Sequence, residues 1–297
     1  MADFLGDGIF NVDGEIWKYQ RQVSSHEFNT KSLRKFVENV VDAELNERLI
    51  PVLAAARFAF DNICKIAFGY DPAYLLPSLP HAKFAVAFEE AVRLSSERFN
   101  AVFPFLWKIK RNFNIGTEKK FKAAVGCAGQ KDEDFVTDIV ISFILAGRDT
   151  TSAALTWFFW LISGHPQVED QILKEIKAKS ESPVYDEVKD MIYTHASLCE
   201  SMRFYPPVPI DTKAATEDDI LPDGTFVKKG TRVGQGICLG KEMAFLQMKR
   251  VVAGILRRFR VVPVAEKVWK PVFVSYPHCE NERWFPKSIE ERKNIDF

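Results

Sequence analysis

Asp132–Pro166 reads DEDFVTDIVISFILAGRDTTSAALTWFFWLISGHP, and the reading of the whole chain turns on it. Its acidic opening (Asp132, Glu133, Asp134) suits the positive end of a helix. Several apolar turns follow, and Gly164 then Pro166 supply a stop. The predicted helix has about thirty residues and spans roughly 45 Å, enough to cross a domain. Apolar residues occupy nearly every side of it, so it belongs inside a core. At its middle, Ala146-Gly147-Arg148-Asp149-Thr150-Thr151 sets two charges and two hydroxyls in an apolar rod. Buried charge is costly unless it is paired or used, so these residues read either as chemistry or as an Arg-Asp pair in a plain core helix. A membrane span does not fit, because Asp138, Arg148 and Asp149 break the apolar run.

The chain has 297 residues, enough for one large domain or two modest ones. Hydrophobic residues are 47% of it, ample for a core, and 25 Phe favour an apolar interior and an apolar ligand. Formal net charge is zero, so electrostatics give no case for nucleic acid or an acidic partner. Cys64, Cys127, Cys199, Cys238 and Cys279 are scattered and form no CxxC pair. That argues against a disulfide framework or a zinc site and for a reducing compartment. The opening MADFLGDGIF has neither a basic nor an apolar leader region, so no signal peptide or anchor is expected in this sequence.

Around the central stretch, residues 3–14 are rich in turns and lead into a helix from about Glu15. Trp17 and Arg21 share a face of that helix, where an aromatic ring beside a guanidinium can hold a carboxylate or phosphate. A half-buried Trp covered by an Arg stem is the plainer alternative. Helices are predicted over Thr30–Leu53, Arg57–Gly69 and Lys83–Phe99, with a loop at Asp71–Pro80. Lys108–Gln130 mixes a basic helix with the soft string from Ala123 to Gln130, which reads as a connector. Further helices are predicted at Pro166–Lys179, Asp186–Phe204 and Lys241–Arg258. Glu200 and Arg203 share a face of the second of these. Residues 208–233 alternate and turn as short strands do, and Val261–Phe297 reads as irregular or short-stranded. Helix dominates.

Cys238 is the sharpest single residue, in Gly234-Gln235-Gly236-Ile237-Cys238-Leu239-Gly240 just before a helix. Glycines let a backbone approach a flat ligand closely, and N–H groups at a helix start stabilise a thiolate. Such a thiolate is a nucleophile or a metal ligand, a single thiolate to heme iron included; a small buried Cys in a tight turn is the bland reading. Four separated segments decide between them. Trp17–Arg21 (WKYQR), Ala146–Thr151 (AGRDTT), Glu200–Arg203 (ESMR) and Gly234–Gly240 (GQGICLG) resemble, in the family's order, the signature motifs of the cytochrome P-450 monooxygenases. Residues 7–28, 58–72 and 145–161 are most similar to the plant group that hydroxylates fatty acids near the methyl end, including the branch that oxidises jasmonoyl-amino-acid conjugates.

The resemblance implies a mainly α cytochrome P-450 fold with minor β, as one domain over 1–297. Residues 265–297 do not look like the family's usual ending. It implies heme b with Cys238 as axial thiolate, and Trp17 and Arg21 on a heme propionate. Gly147, Gly234 and Gly240 would border the cofactor, Asp149 and Thr150 would relay protons at a local helix kink, and Glu200 with Arg203 would be a structural pair. Ile141, Ile144 and Leu145 face either an apolar substrate or plain core. The implied partners are NADPH, NADPH-cytochrome P-450 reductase at the endoplasmic reticulum membrane, and a fatty acid or lipid-derived molecule. Lys249, Arg250, Arg257, Arg258 and Arg260 read as a reductase-docking cluster or as a solvated helix face.

Departures from the family pattern are as informative. Thr231 and Gly236 stand where the cysteine loop has Phe and a propionate-pairing Arg. Only 35 positions separate Arg203 from Cys238, too few for the family's usual further strands and meander. N-terminal sequence before Trp17 is missing, and Ala56-Arg57 and Val125-Gly126 look like internal junctions. The alternative expectation is therefore an impaired or inactive shortened remnant that binds heme poorly, with Glu200 and Arg203 lacking their third partner.

Overall fold

Asp134–Ser163 forms one uninterrupted α-helix of 30 residues, as its composition requires. The computed structural model describes residues 2–35, 83–99, 103–128, 134–209, 212–234, 238–262 and 288–291. In chain order come α1 (Ala2–Leu5), α2 (Gly14–Ser25), a 3-10 turn at His26–Phe28 and α3 (Thr30–Lys35). They are followed by α4 (Lys83–Phe99), α5 (Pro104–Phe113) and α6 (Thr117–Ala128). The central helix is α7, and α8 (Pro166–Lys177), α9 (Tyr185–Lys189) and α10 (Ile192–Phe204) come after it. Strands β1 (Thr212–Ala214), β2 (Asp219–Ile220), β3 (Phe226–Val227) and β4 (Arg232–Gly234) precede α11 (Lys241–Arg258). β5 (Phe259–Val262) and β6 (Ser288–Glu291) complete the described chain. Among the described residues the strands pair two by two, all antiparallel: β1 with β4, β2 with β3, β5 with β6. Helix dominates as predicted.

Helix α7 packs against α1, α8, α10, α11 and β5. Ile141, Ile144, Leu155, Phe158 and Ile162 are buried along it, each such side chain contributing about 1.5–3 kcal/mol. Ile141 and Ile144 are thus part of the core, the plainer of the two sequence readings. The hydroxyls inside the rod bond their own helix. Ser142 Oγ donates to the Asp138 carbonyl at 2.8 Å, and Thr156 Oγ1 to the Ser152 carbonyl at 2.8 Å. The far end of α10 is fixed by aromatic stacking, with Tyr205 lying 4.1 Å from Trp157 at 9°.

Arg98 on α4 anchors the layer that α4, α5 and α6 make. Its Nε donates to Glu118 Oε1 at 2.8 Å, and Nη2 bonds Oε2 of the same buried carboxylate. Nη1 reaches Asp3 at 3.0 Å, and the guanidinium carbon lies 3.7 Å from the Phe121 ring centroid. This layer corrects the connector assigned to Ala123–Gln130: α6 continues through Ala128, past the supposed junction at Val125-Gly126. Phe121 and Ala124 are buried on one side of α6, which packs on α4, and Ala is the best helix former, so Gly126 is carried through.

The helix predicted over Asp186–Phe204 is two helices, α9 and α10, broken at Asp190-Met191. Met191 is fully buried there. Glu175 of α8 caps the restart, accepting from the N–H groups of Tyr193 and Thr194 at 2.8 Å and from Thr194 Oγ1 at 2.7 Å. Neither reading of the basic cluster holds for its first three members. Lys249 and Arg250 are buried; Lys249 Nζ donates to the Lys189 carbonyl, and Arg257 Nη2 to the carbonyls of Ile176 and Lys179. Lys249 and Arg257 are cations set on helix C-termini, where the dipole favours them, and Arg250 Nη2 donates to Ser182 Oγ at 3.3 Å. Of the Thr30–Leu53 helix only Thr30–Lys35 is described; Arg57–Gly69, Asp71–Pro80 and Ala56-Arg57 lie outside the described residues. No helix among the described residues is long and apolar enough to cross a membrane.

An open cleft of about 190 Å³ lies among α9, α10 and α11, lined by Tyr185, Lys189, His195, Glu242, Phe245 and Lys249 among others. It holds none of the residues that the motifs single out. His195 stacks on Phe245 at 4.3 Å, and burial, helped by the charge of Lys249, lowers its pKa below the ordinary histidine value.

Two measurements check this packing. Glu118→Ala leaves Arg98 without its buried partner and is expected to cost about 3–5 kcal/mol in urea unfolding. A histidine pKa lowered by folding means the unfolded chain takes the proton first. Stability is then present above the ordinary value of about 6.5 and is lost as pH falls through the lowered native value. Thermal midpoints of His195→Leu should therefore fall less than the parent's between about pH 7.5 and about pH 5.

Candidate functional site

All ten motif residues lie within the described part of the chain. Helix α2 opens at Gly14, whose φ of +62° is a glycine conformation, after Asp13, whose backbone is extended. One turn on, the Arg21 guanidinium lies 5.4 Å from the Trp17 ring centroid. Lys213, from β1, places its ammonium 5.9 Å from the same ring. Two cations thus flank one indole, an arrangement suited to a carboxylate. The sequence reading missed Lys213, because nothing local to β1 signals its approach to Trp17.

On α7 the central hexapeptide stays helical, so the predicted kink is not found. Arg148 and Asp149 approach to 3.6 Å with both side chains largely buried. The Arg148 guanidinium also sits 5.7 Å from the Phe88 ring centroid. Thr150 Oγ1 donates to the Ala146 carbonyl at 2.6 Å, which leaves its lone pairs to accept from another donor. Gly147, half-buried, lies between these groups on the same turn.

Cys238 is exposed and unpaired, two residues before Gly240, the residue from which α11 starts. Gly234 ends β4 opposite Thr212; residues 235–237 lie outside the described set. Gly240 has φ −83°, which any residue adopts, and among the described residues a Cβ there would meet only Phe28 Cε1, at 3.7 Å. The packing of the described residues thus gives no reason for glycine at 240. Phe28 in turn stacks on Phe143 of α7, centroids 6.3 Å apart. The turn after α2, the approach to α11 and the central helix therefore meet at Phe28.

The Glu200–Arg203 pair is not part of this meeting point. Two hydrogen bonds of 2.8 Å join it on α10, with the side chains 57% and 62% exposed. Arg203 holds the Glu200 carboxyl below its usual pKa. The pair is solvated, so its two charges need no further partner to be tolerated.

The cofactor that the motifs imply is testable against these residues. Among the described residues the free cysteines are Cys199 and Cys238. Cys199 lies within α10 beside an exposed ion pair, whereas Cys238 precedes a helix whose first N–H groups lack intrahelical partners. A side-chain-free position at 240 and two cations on Trp17 add room and counter-charge. The residues present fit a heme.

Comparison with known proteins agrees. The profile of the cytochrome P-450 family matches residues 129–235. Cytochrome P-450 94A2 of Vicia sativa is 50% identical over 393 aligned residues, which cover 99% of this chain and 77% of the relative. Cytochrome P-450 94A1 of the same plant is 46% identical over 98% of the chain and 76% of the relative. Cytochrome P-450 94B1 of Arabidopsis thaliana is 36% identical over 100% and 77%. An alignment of 393 positions against 297 residues leaves at least 96 positions without a counterpart here, so internal segments of the relatives are absent. Similarity spread over nearly the whole chain does not favour the remnant reading. The crystal structure of a cytochrome P-450DA heme domain superposes with a TM-score of 0.69 at 16% identity, covering 92% of this chain and 78% of that one, which places the fold. The chain belongs to the family of cytochrome P-450 monooxygenases, heme proteins whose iron is held by a cysteine thiolate.

Proposed function

We propose that this chain hydroxylates an aliphatic chain, a fatty acid or a fatty-acid-derived conjugate, with Cys238 as the thiolate ligand of its heme iron. Electrons come from NADPH through NADPH-cytochrome P-450 reductase at the endoplasmic reticulum membrane. The observation that carries the ligand assignment is the unexplained glycine at 240, two residues after an exposed cysteine at the start of α11. When bound, the thiolate-ligated iron activates dioxygen, so that one oxygen atom enters a C–H bond and the other leaves as water, NADPH supplying the two electrons. The aliphatic substrate class rests on the likeness of residues 7–28, 58–72 and 145–161 to the plant fatty-acid hydroxylases.

The chain's residues take the remaining tasks. Arg21 and Lys213, both near the Trp17 ring, supply positive charge to the cofactor's carboxylates, Lys213 answering for the Arg that Gly236 replaces. Gly234 and Gly240 border the cysteine loop and Gly147 keeps α7 slim where it faces the cofactor. Thr150, held on the Ala146 carbonyl, would accept a proton donor's hydrogen bond and hold a proton at its Oγ1, with Asp149, its neighbour in the chain, as the source. Glu200 and Arg203 act structurally, and residues 1–297 form one domain, with 265–297 departing from the family's ending.

Two variants test this. Cys238→Ser should remove the thiolate-type Soret band of the reduced carbonyl complex, and Cys199→Ser or Cys64→Ser should leave it; an unchanged band in the first would overturn the ligand assignment. Thr150→Ala should keep the parent's heme content but divert reducing equivalents to peroxide during lauric-acid turnover. Equal coupling would reduce Thr150 to a packing residue.

A further inference from the structure

The turn that leads into α2 is seated on the central helix by an unusually close fit. Asp7 N–H donates to Asp138 Oδ2 at 2.8 Å. A Cβ at Gly6, where φ is +46°, would lie 2.0 Å from that same oxygen. A Cβ at Gly8 would lie 2.1 Å from Ser142 Oγ and 2.6 Å from the Asp138 backbone carbonyl. No side chain fits in either place, so both glycines are explained by the surface of α7. From the other side, Gln20 of α2 is 98% buried and its Nε2 donates to the Asp7 carbonyl at 2.7 Å. The backbone of Asp7 is therefore held at both ends, its N–H by α7 and its C=O by α2. Gln20 is flanked on α2 by Trp17, one turn before it, and by Arg21, next in the chain.

We propose that Asp138 is a positioning residue for the cofactor: through the Leu5–Gly8 turn and Gln20 it sets where α2 carries Trp17 and Arg21. The proposal rests on the reading of α2 as the wall that holds the heme carboxylates. Asp138 touches neither group. It acts by giving the turn one seat on α7, and Gly6 and Gly8 make that seat accessible to backbone. A supporting residue of this kind usually changes cofactor or metal affinity by about ten- to a hundredfold.

The test is the rate at which heme leaves the loaded full-length chain for excess apomyoglobin, followed in the Soret region, beside the thermal midpoint of the heme-free chain. Asp138→Ala should speed heme loss by about tenfold. Asp138→Asn, which keeps an oxygen for the Asp7 N–H, should restore a rate close to the parent's. Gln20→Met, of similar shape but without the donor, should speed loss as Asp138→Ala does. Glu175→Ala, which uncaps α10 away from the turn, should lower the midpoint and leave the rate alone. In an Arg21→Ala background the Asp138→Ala effect should shrink, because both act through α2. If Arg21→Ala speeds heme loss while Asp138→Ala and Gln20→Met do not, or if Glu175→Ala speeds it equally, the positioning role is wrong. If Arg21→Ala itself leaves heme loss unchanged, the reading of α2 fails first and the proposal falls with it.

Discussion

A helix that is apolar on almost every side has one stable situation, and the rest of the molecule follows from providing it. Helix α7 must be covered along its length, and α1, α8, α10, α11 and β5 do that. The polar groups it carries are made tolerable locally. Serine and threonine back-bond to the carbonyl four residues earlier, so their hydroxyls need nothing from the neighbours. The charges of Arg148 and Asp149 lie beside each other, with an aromatic face near the guanidinium. A segment that reads as chemistry inside grease is therefore stable before any cofactor is considered.

What was legible in the sequence is what periodicity and local stop signals encode. The span of α7, the Lys83–Phe99 helix and the Lys241–Arg258 helix follow from apolar spacing bounded by Gly, Pro or a composition change. The misreadings share a cause, which is tertiary contact over long sequence separation. Ala123–Ala128 looks like a connector until α4 offers its buried face; the break at Asp190-Met191 exists because Glu175, on another helix, caps a new start. Lys249 and Arg257 look like surface charge because charge is usually solvated. Here they end on carbonyls 60 and 81 positions away, at the ends of α9 and α8.

The shortened interval between α10 and α11 tests how much of the scaffold the missing sequence supports. Internal absence would be severe if it stripped the cover from a buried ion pair, since an uncompensated charge in a low-dielectric core costs several kcal/mol. Glu200 and Arg203 satisfy each other in solvent instead. The helix that bears them is fixed by other means, through Tyr205 on Trp157 and Trp160 of α7. Charge beside Trp17 is likewise brought from far along the chain: β1 carries Lys213 to the ring that Arg21 already faces.

Motif residues alone do not explain how the site is assembled. Phe28 and Asp7 do the joining, and neither belongs to a motif. Phe28 stacks on Phe143 of α7 and lies close to Gly240 at the start of α11, so one aromatic ring is near both the central helix and the approach to α11. Asp7 contributes only its backbone, which any residue has, and the specificity resides in the two glycines beside it and in Asp138 and Gln20 at its ends. A contact made by backbone leaves its trace in the sequence as the absence of side chains nearby. That is why a run such as Gly6-Asp7-Gly8 reads as a flexible turn from composition, although here it is pressed closely against the central helix.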